Sequence, residues 1–181
     1  MTRETSQTKK TAIILAAGKG TRMKSDKLKV LHQVAGKPIV SYVVDTVIEL
    51  GFDEVLLVIG HQADEIKKQI QHPKVKFVIQ EEQLGTGHAV MQAKPHLDKS
   101  PDNQVMVLAG DCPLITKQTL SELINTHNET NAEATILSTV VDDAANYGRI
   151  LRGEMGSVIG IKEAKDCTKK ELAIKEINTA I

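Results

Sequence analysis

The chain has 181 residues, and its 23 lysines and arginines equal its 23 aspartates and glutamates, so the formal net charge is zero. That balance excludes the broad basic field of a non-specific nucleic-acid binder, and an aromatic content of 2% with no tryptophan removes the usual base-stacking platforms. The length suffices for one domain that buries about 70% of its unfolded surface, and no apolar run reaches the roughly 20 residues of a membrane helix.

The N-terminus, MTRETSQTKK, lacks the apolar segment of a secretory signal. Cys112 and Cys167 are too few for a disulfide framework or a zinc site. A reduced, cytoplasmic protein is expected, with no nucleic-acid partner and no membrane association.

Residues 1–9 read as a disordered tail, and residues 10–181 as one domain. Residues 11–17 form an apolar, β-branched run, followed at once by Gly18-Lys19-Gly20-Thr21-Arg22 and then by Lys24, Lys27 and Lys29. A buried strand ending in a basic, glycine-containing loop suits phosphate, because glycines let backbone N–H groups approach an anion and Arg and Lys add formal charge. A solvated basic turn is the alternative. The Walker pattern fails, since Met23 stands five residues after Gly18 and Pro38 follows Gly36-Lys37. The dinucleotide fingerprint fails too, with Met23 in place of its third glycine.

Pro38 suits the first turn of a helix. Ile39, Val40, Val43, Val44, Val47 and Ile48 recur at helical spacing up to Leu50, and Gly51 is a natural stop. Residues 55–59 predict a second buried strand. Gly60-His61-Gln62 turns, residues 63–70 predict a short helix with an Asp64/Lys68 pair, and residues 75–79 predict a third strand. The segment from Gln80 to Ala89, QEEQLGTGHA, is a polar loop running into a helix that ends before Pro95. Thr86 is the expected cap of that helix, although the amide of Gln80 offers the donor and acceptor needed to read a base edge.

Residues 105–108 predict a fourth buried strand, followed by Ala109-Gly110-Asp111-Cys112-Pro113. A carboxylate at the carboxyl end of such a strand lies where open α/β sheets bind ligands, and a divalent cation there would bridge Asp111 and phosphate oxygens. A simple turn ahead of Pro113 is the alternative. Cys112 reads as a small buried side chain, with no activating group beside it. Leu120, Leu123, Ile124 and His127 mark a further helix, capped by Thr116, with His127 at its surface or at the edge of the core rather than a ligand. Residues 133–141, 147–150, 158–163 and 173–181 read as a mixed, partly antiparallel extension of the sheet. Strand and helix alternate from residue 11 to about residue 127, which predicts a three-layer α/β domain with a mainly parallel core.

Leu15-Ala16-Ala17-Gly18-Lys19-Gly20-Thr21-Arg22-Met23, with Lys29 further on, resembles the opening motif of the sugar-phosphate nucleotidyltransferases. Lys29-Val30-Leu31-His32, the QEEQLGTGHA segment, Gly110-Asp111 before Pro113-Leu114, Tyr147-Gly148-Arg149-Ile150 and Glu176-Ile177-Asn178-Thr179 follow in order. Together they look like the N-terminal domain of the bacterial bifunctional N-acetylglucosamine-1-phosphate uridylyltransferases.

The resemblance implies a Rossmann-like nucleotidyltransferase fold with a mainly parallel mixed sheet. It implies formation of UDP-N-acetylglucosamine and pyrophosphate from UTP and N-acetylglucosamine-1-phosphate, a step toward cell-wall precursors. Leu15, Ala16, Ala17 and Gly18 would hold the nucleotide through their backbone, and Arg22 and Lys29 would face the phosphates as catalytic residues. Gln80, Gly85 and Thr86 would contact the uracil and nearby sugar. Ala109 and Gly110 would line the nucleotide site, and Asp111 would hold magnesium (Mg2+). Gly148, Glu163 and Asn178 would contact the N-acetylglucosamine moiety.

Full-length members are expected to be homotrimers, through a C-terminal acetyltransferase domain for which this chain shows no counterpart. The resemblance also implies a uridylyltransferase domain running on beyond Ile181, with an asparagine that completes the magnesium site. Two further readings are therefore a nucleotide-sugar-binding fragment with little turnover and a sister enzyme using another sugar-1-phosphate. Leu28 stands where related enzymes carry proline, so a less rigid loop is expected.

Overall fold

The computed structural model of the chain describes residues 8–18, 20, 23–25, 27–60, 63–100 and 103–181. It contains two compact units, Met1–Ser121 and Glu122–Ile181.

The first unit runs β1 (Lys10–Leu15), the short hairpin β2 (Gln33–Val34) and β3 (Lys37–Pro38), α1 (Ile39–Glu49), β4 (Glu54–Ile59), α2 (Ala63–Gln69), β5 (Val75–Ile79), α3 (Thr86–Ala93) and β6 (Gln104–Ala109). Helix α4 (Lys117–Thr130) then leads into the second unit. The main sheet has the order β5-β4-β1-β6, and every pairing in it is parallel.

All six residues of β4 are buried, as are Thr11 to Ile14 of β1. Strands covered on both faces carry unbroken apolar runs rather than alternating ones, which is why the sequence there shows no period of two. The pleat sends Ile13, Leu56, Val58 and Val78 to one face, where Ala89 and Ala93 of α3 pack against them. Helix α1 packs against β1 and β4 through a stripe containing Val40, Val43, Val44 and Val47. With β1 and β4 covered on both sides, the unit has the expected three-layer α/β, Rossmann-like build. Each fully buried Val, Leu or Ile contributes about 1.5–3 kcal/mol of transfer free energy to it.

Pro38 precedes the first turn of α1 rather than occupying it. At the other end Gly51 takes φ +79°, its N–H bonds to Ile48 O at 3.0 Å, and Phe52 N–H bonds to Val47 O at 3.2 Å. That pair of bonds is a Schellman closure. It directs buried Phe52 and the chain into β4.

Strand β6 corrects one expectation. Only Leu108 of its six residues is buried, and Val105 is exposed. Among the described residues β6 pairs with β1 alone, so it is an edge strand with one open side.

The second unit holds β7 (Ser138–Val140), β8 (Arg149–Arg152), β9 (Val158–Lys162), α5 (Lys169–Leu172) and β10 (Glu176–Asn178). These strands form their own sheet, β7-β10-β8-β9, with antiparallel pairings throughout. They do not extend the parallel sheet as the sequence suggested. Antiparallel neighbours need no crossover helix, and β8 and β9 are joined by residues 153–157 alone. Of the strand expected at residues 133–141, only Ser138–Val140 forms. Ser138, Thr139 and Val140 pair one for one with Asn178, Ile177 and Glu176.

Ion pairs brace this sheet. Arg152 grips Glu176 through two bonds, Nη2 to Oε1 at 2.6 Å and Nε to Oε2 at 2.7 Å, and Ser138 Oγ donates to Oε1 at 2.6 Å. Arg152 first, and Ser138 after it, hold the Glu176 carboxyl down to about 2. A carboxylate favoured in the folded state stabilises above its unfolded pKa of about 4.3 and loses that contribution as pH falls through the folded value. Glu176→Gln is therefore expected to lower the melting temperature at pH 7, with the gap from wild type closing between about pH 4.5 and pH 2. Circular-dichroism melts across that range check it, and a gap independent of pH would contradict it.

Candidate functional site

The carboxyl ends of the four parallel strands bring most of the marked residues of the first unit together. Beyond β1, Ala16 and Ala17 are buried while Gly18 is exposed, and Ala16 N–H bonds to Val58 O at 2.8 Å. Gln83 Nε2 donates to Ala17 O at 2.7 Å, which ties the loop after β5 to the loop after β1. Gln80, directly after β5, is buried and anchored by its N–H to Ile59 O at 2.8 Å.

Beyond β6, Gly110 N–H bonds to Leu15 O at 2.9 Å. A Cβ on Gly110 would meet that same oxygen at 2.9 Å and Ala16 Cβ at 3.4 Å. Glycine is thus required for Ala109-Gly110-Asp111 to lie against Leu15-Ala16. Ligands of open α/β sheets bind along this edge.

Asp111 meets Lys29 here in an ion pair across 82 residues of sequence. Lys29 opens a short 3-10 turn, Lys29–Leu31, whose Val30 and Leu31 are buried and fix the turn to the core. Leu28, just before it, takes φ −53° and so already has the backbone angle a proline would impose. Gly20 comes close beneath, at φ +62°, where a Cβ would lie 2.6 Å from Lys29 Cβ. Arg22, the other expected phosphate-facing residue, lies outside the described residues.

Cys112 Sγ is 3.8 Å from Asp111 Oδ1, and burial, reinforced by that carboxylate, pushes the thiol above its usual range. The sequence predicts a small buried side chain at Cys112, and the structure leaves it half-buried. No group of three or more metal-ligating side chains is found among the described residues. Asp111 is a partly exposed single carboxylate, and magnesium held mainly by substrate phosphates and water asks for one or two. The donor set therefore fits Mg2+ in the presence of phosphates.

The start of α3 corrects the expected cap. Gly85, not Thr86, occupies the N-cap position, at φ 103° and ψ −179°, and no side chain caps the helix. That backbone region is essentially restricted to glycine. Thr86 is the first helical residue and is exposed, so its hydroxyl is not spent on the cap. Gln80 Nε2 reaches Gly85 O at 3.4 Å and His88 Nδ1 at 3.1 Å, and His88 Nε2 lies 3.0 Å from the amide of Gln92. Sequence reasoning gave His88 no role of its own; its i, i+4 spacing to Gln92 was the available signal. By contrast Thr116 does cap α4, accepting from Thr119 N–H at 3.1 Å, and His127 bonds locally to Thr135 Oγ1 at 2.9 Å.

Within the second unit Gly148, Glu163 and Asn178 also come together. Asn178 N–H donates to Gly148 O at 2.9 Å, and a Cβ on Gly148 would lie 3.6 Å from Glu163 Oε1. Buried Arg149 donates to Ala144 O at 3.1 Å, to Ala145 O at 3.0 Å and to Tyr147 O, which holds the turn that leads into Gly148.

A parallel α/β sheet with a glycine-containing loop after its first strand and a Lys–Asp pair at its carboxyl edge has the build of a nucleotide-handling transferase. Residues 12–163 match the family described as MobA-like NTP transferase domain, and the chain belongs to that family. It is 51% identical over 171 residues to the Bifunctional protein GlmU of Geobacillus sp. (strain WCH70), an alignment covering 94% of this chain and 37% of that protein. The GlmU of Thermoanaerobacter pseudethanolicus is 51% identical over 169 residues, covering 93% of this chain and 36% of that one. The chain thus spans little more than a third of these relatives' length. The crystal structure of HddC from Yersinia pseudotuberculosis complexed with GMP-PN superimposes with a TM-score of 0.65 at 27% identity, covering 84% of this chain and 68% of HddC.

Proposed function

We propose that the chain is a uridylyltransferase that forms UDP-N-acetylglucosamine and pyrophosphate from UTP and N-acetylglucosamine-1-phosphate. The observation that carries this reading is the Lys29–Asp111 pair at the carboxyl edge of the parallel sheet, beside Leu15 to Gly18. The similarity to GlmU proteins and the family resemblance supply the substrates.

A phosphate oxygen of the sugar-1-phosphate attacks the α-phosphorus of UTP. The bond from that phosphorus to the β-phosphate bridging oxygen breaks, and pyrophosphate leaves with its electron pair. No covalent enzyme intermediate is needed, so the protein's work is positioning and charge neutralisation. The backbone of Leu15, Ala16, Ala17 and Gly18 cradles the nucleotide, together with Ala109 and Gly110. Gln80, Gly85 and Thr86 take the uracil and its ribose. Arg22 and Lys29 neutralise the transferring and leaving phosphates. Mg2+ would be held by Asp111 and the substrate phosphates, and when bound supplies positive charge at the reacting oxygens. Gly148, Glu163 and Asn178 take the N-acetylglucosamine group, a role their mutual placement supports.

Pyrophosphate release by this chain from UTP and N-acetylglucosamine-1-phosphate with Mg2+ is the test, with glucose-1-phosphate and mannose-1-phosphate as rival substrates. Release that prefers the N-acetylated sugar supports the reading. Faster turnover of either rival would reassign the substrate. A rise in melting temperature with UDP-N-acetylglucosamine but no release would reduce the function to binding.

Gly20→Ala is expected to lower this activity at least tenfold. A left-handed residue with a Cβ costs about 1–2 kcal/mol, and the new methyl would displace Lys29 from its place opposite Asp111. The melting temperature should fall by a few degrees, and unchanged turnover would show that the Gly20–Lys29 contact is unimportant.

A further inference from the structure

We infer that His88 fixes which end of the Gln80 amide faces the nucleotide and so sets the preference for uracil over cytosine. The inference rests on the uridylyl-transfer reading and deepens it. Gly85 O can only accept, so the Gln80 atom that faces it at 3.4 Å is the NH2 group. The same NH2 lies 3.1 Å from His88 Nδ1, so Nδ1 must accept as well. A neutral imidazole accepts at one nitrogen and donates at the other. His88 Nε2 therefore carries the proton, and the Gln92 amide, whose Nε2 is placed 3.0 Å from it, is assigned in the turned orientation so that its Oε1 accepts. With the Gln80–Gly85 bond kept, this is the arrangement of tautomer and amides in which every donor meets an acceptor.

The consequence falls on the other end of Gln80. Both hydrogens of its NH2 are committed to Gly85 and His88, and among the described residues no hydrogen bond occupies Oε1. The side chain is buried, so its amide cannot turn without breaking that anchoring. Gln80 thus offers a base an acceptor. Uracil presents a donor at N3, whereas cytosine presents a lone pair there. Leaving such a buried acceptor opposed by another acceptor is the kind of mismatch that yields strong discrimination. His88 and Gln92 are one turn apart on α3, so the helix that packs beneath the sheet also carries the device that orients Gln80. His88 is accordingly a positioning residue; it acts through Gln80.

The test compares Mg2+-UTP with Mg2+-CTP by calorimetry on the whole chain. Wild type should favour UTP strongly. His88→Leu removes the Nδ1 acceptor, frees the amide to rotate, and is expected to cut the UTP/CTP affinity ratio at least tenfold, mainly by weakening UTP. His88→Asn puts an amide carbonyl near the position of Nδ1 and should restore most of the ratio, which a merely structural role would not predict. Gln92→Leu removes the acceptor that fixes the tautomer and should lower the ratio by a smaller factor; it also carries the test if His88→Leu does not fold. A ratio unchanged in a folded His88→Leu protein, or in folded Gln92→Leu, overturns the inference while sparing the uridylyl reading. Wild-type protein that binds neither nucleotide overturns both.

Discussion

Asp111→Asn is expected to reduce pyrophosphate release at least a hundredfold while leaving the fold in place. The two halves of that expectation come from one geometry. The carboxylate and the Lys29 ammonium are 31% and 34% exposed, so water screens them, and such pairs contribute about 0–1 kcal/mol to stability. In a protein of this size 1 kcal/mol corresponds to about 2–4 °C in melting temperature. The catalytic cost is larger because Asp111 would hold the ion that neutralises phosphate charge, and losing one preorganised electrostatic contact commonly costs about 10²–10³ in rate. Asparagine keeps the shape and removes the charge, and with it the cation's anchor. It also removes the anion that faces incoming phosphates and frees Lys29 to meet them. UTP is therefore expected to bind the variant at least as tightly as wild type when metal is absent. Pyrophosphate assays and metal-free calorimetry check the two parts separately. Weaker metal-free binding would mean that Asp111 shapes the loop rather than serving the cation.

How far the site could be read from residues follows from which forces are local. The strands at residues 55–59 and 75–79 were legible because a short β-branched run between turn residues has few other uses, and their bounds match β4 and β5 closely. The same logic misjudged β6. Val105-Met106-Val107-Leu108 looks equally apolar at the centre or the edge of a sheet, and only the neighbours, which are remote in sequence, decide burial. The cap of α3 was misassigned because preference favours Thr86, whereas the backbone angle of Gly85 decides it. Lys29 and Asp111 were both named through motifs, yet their meeting across 82 residues is a product of the fold. The anchoring of Gln80 by His88 lay out of reach in the same way: each residue is unremarkable alone, and only the end of β5 packed beside α3 joins them. The antiparallel sheet of the second unit was legible in its strands but not in its independence, since nothing in a strand's own residues says which sheet it joins.

Lys29→Met should depress turnover about ten- to a hundredfold, chiefly in kcat, with little change in melting temperature. Methionine preserves the length and apolar stem of the side chain, so the 3-10 turn held by buried Val30 and Leu31 has no reason to move. What disappears is the ammonium. In the substrate-free protein that leaves Asp111 unpaired, but a carboxylate this exposed stays hydrated and costs little. In the reaction, negative charge grows on the departing pyrophosphate, and a cation that meets it gains more in the transition state than in the ground state. Interactions of that kind appear in kcat rather than in KM. Lys29→Arg should recover only part of the rate, because a planar, longer guanidinium does not reproduce a compact point charge in a turn whose Cβ already lies close to Gly20. A Lys29→Met protein whose KM for UTP rises while kcat stays constant would make Lys29 a ground-state phosphate clamp, and the burden of charge neutralisation would pass to the cation at Asp111.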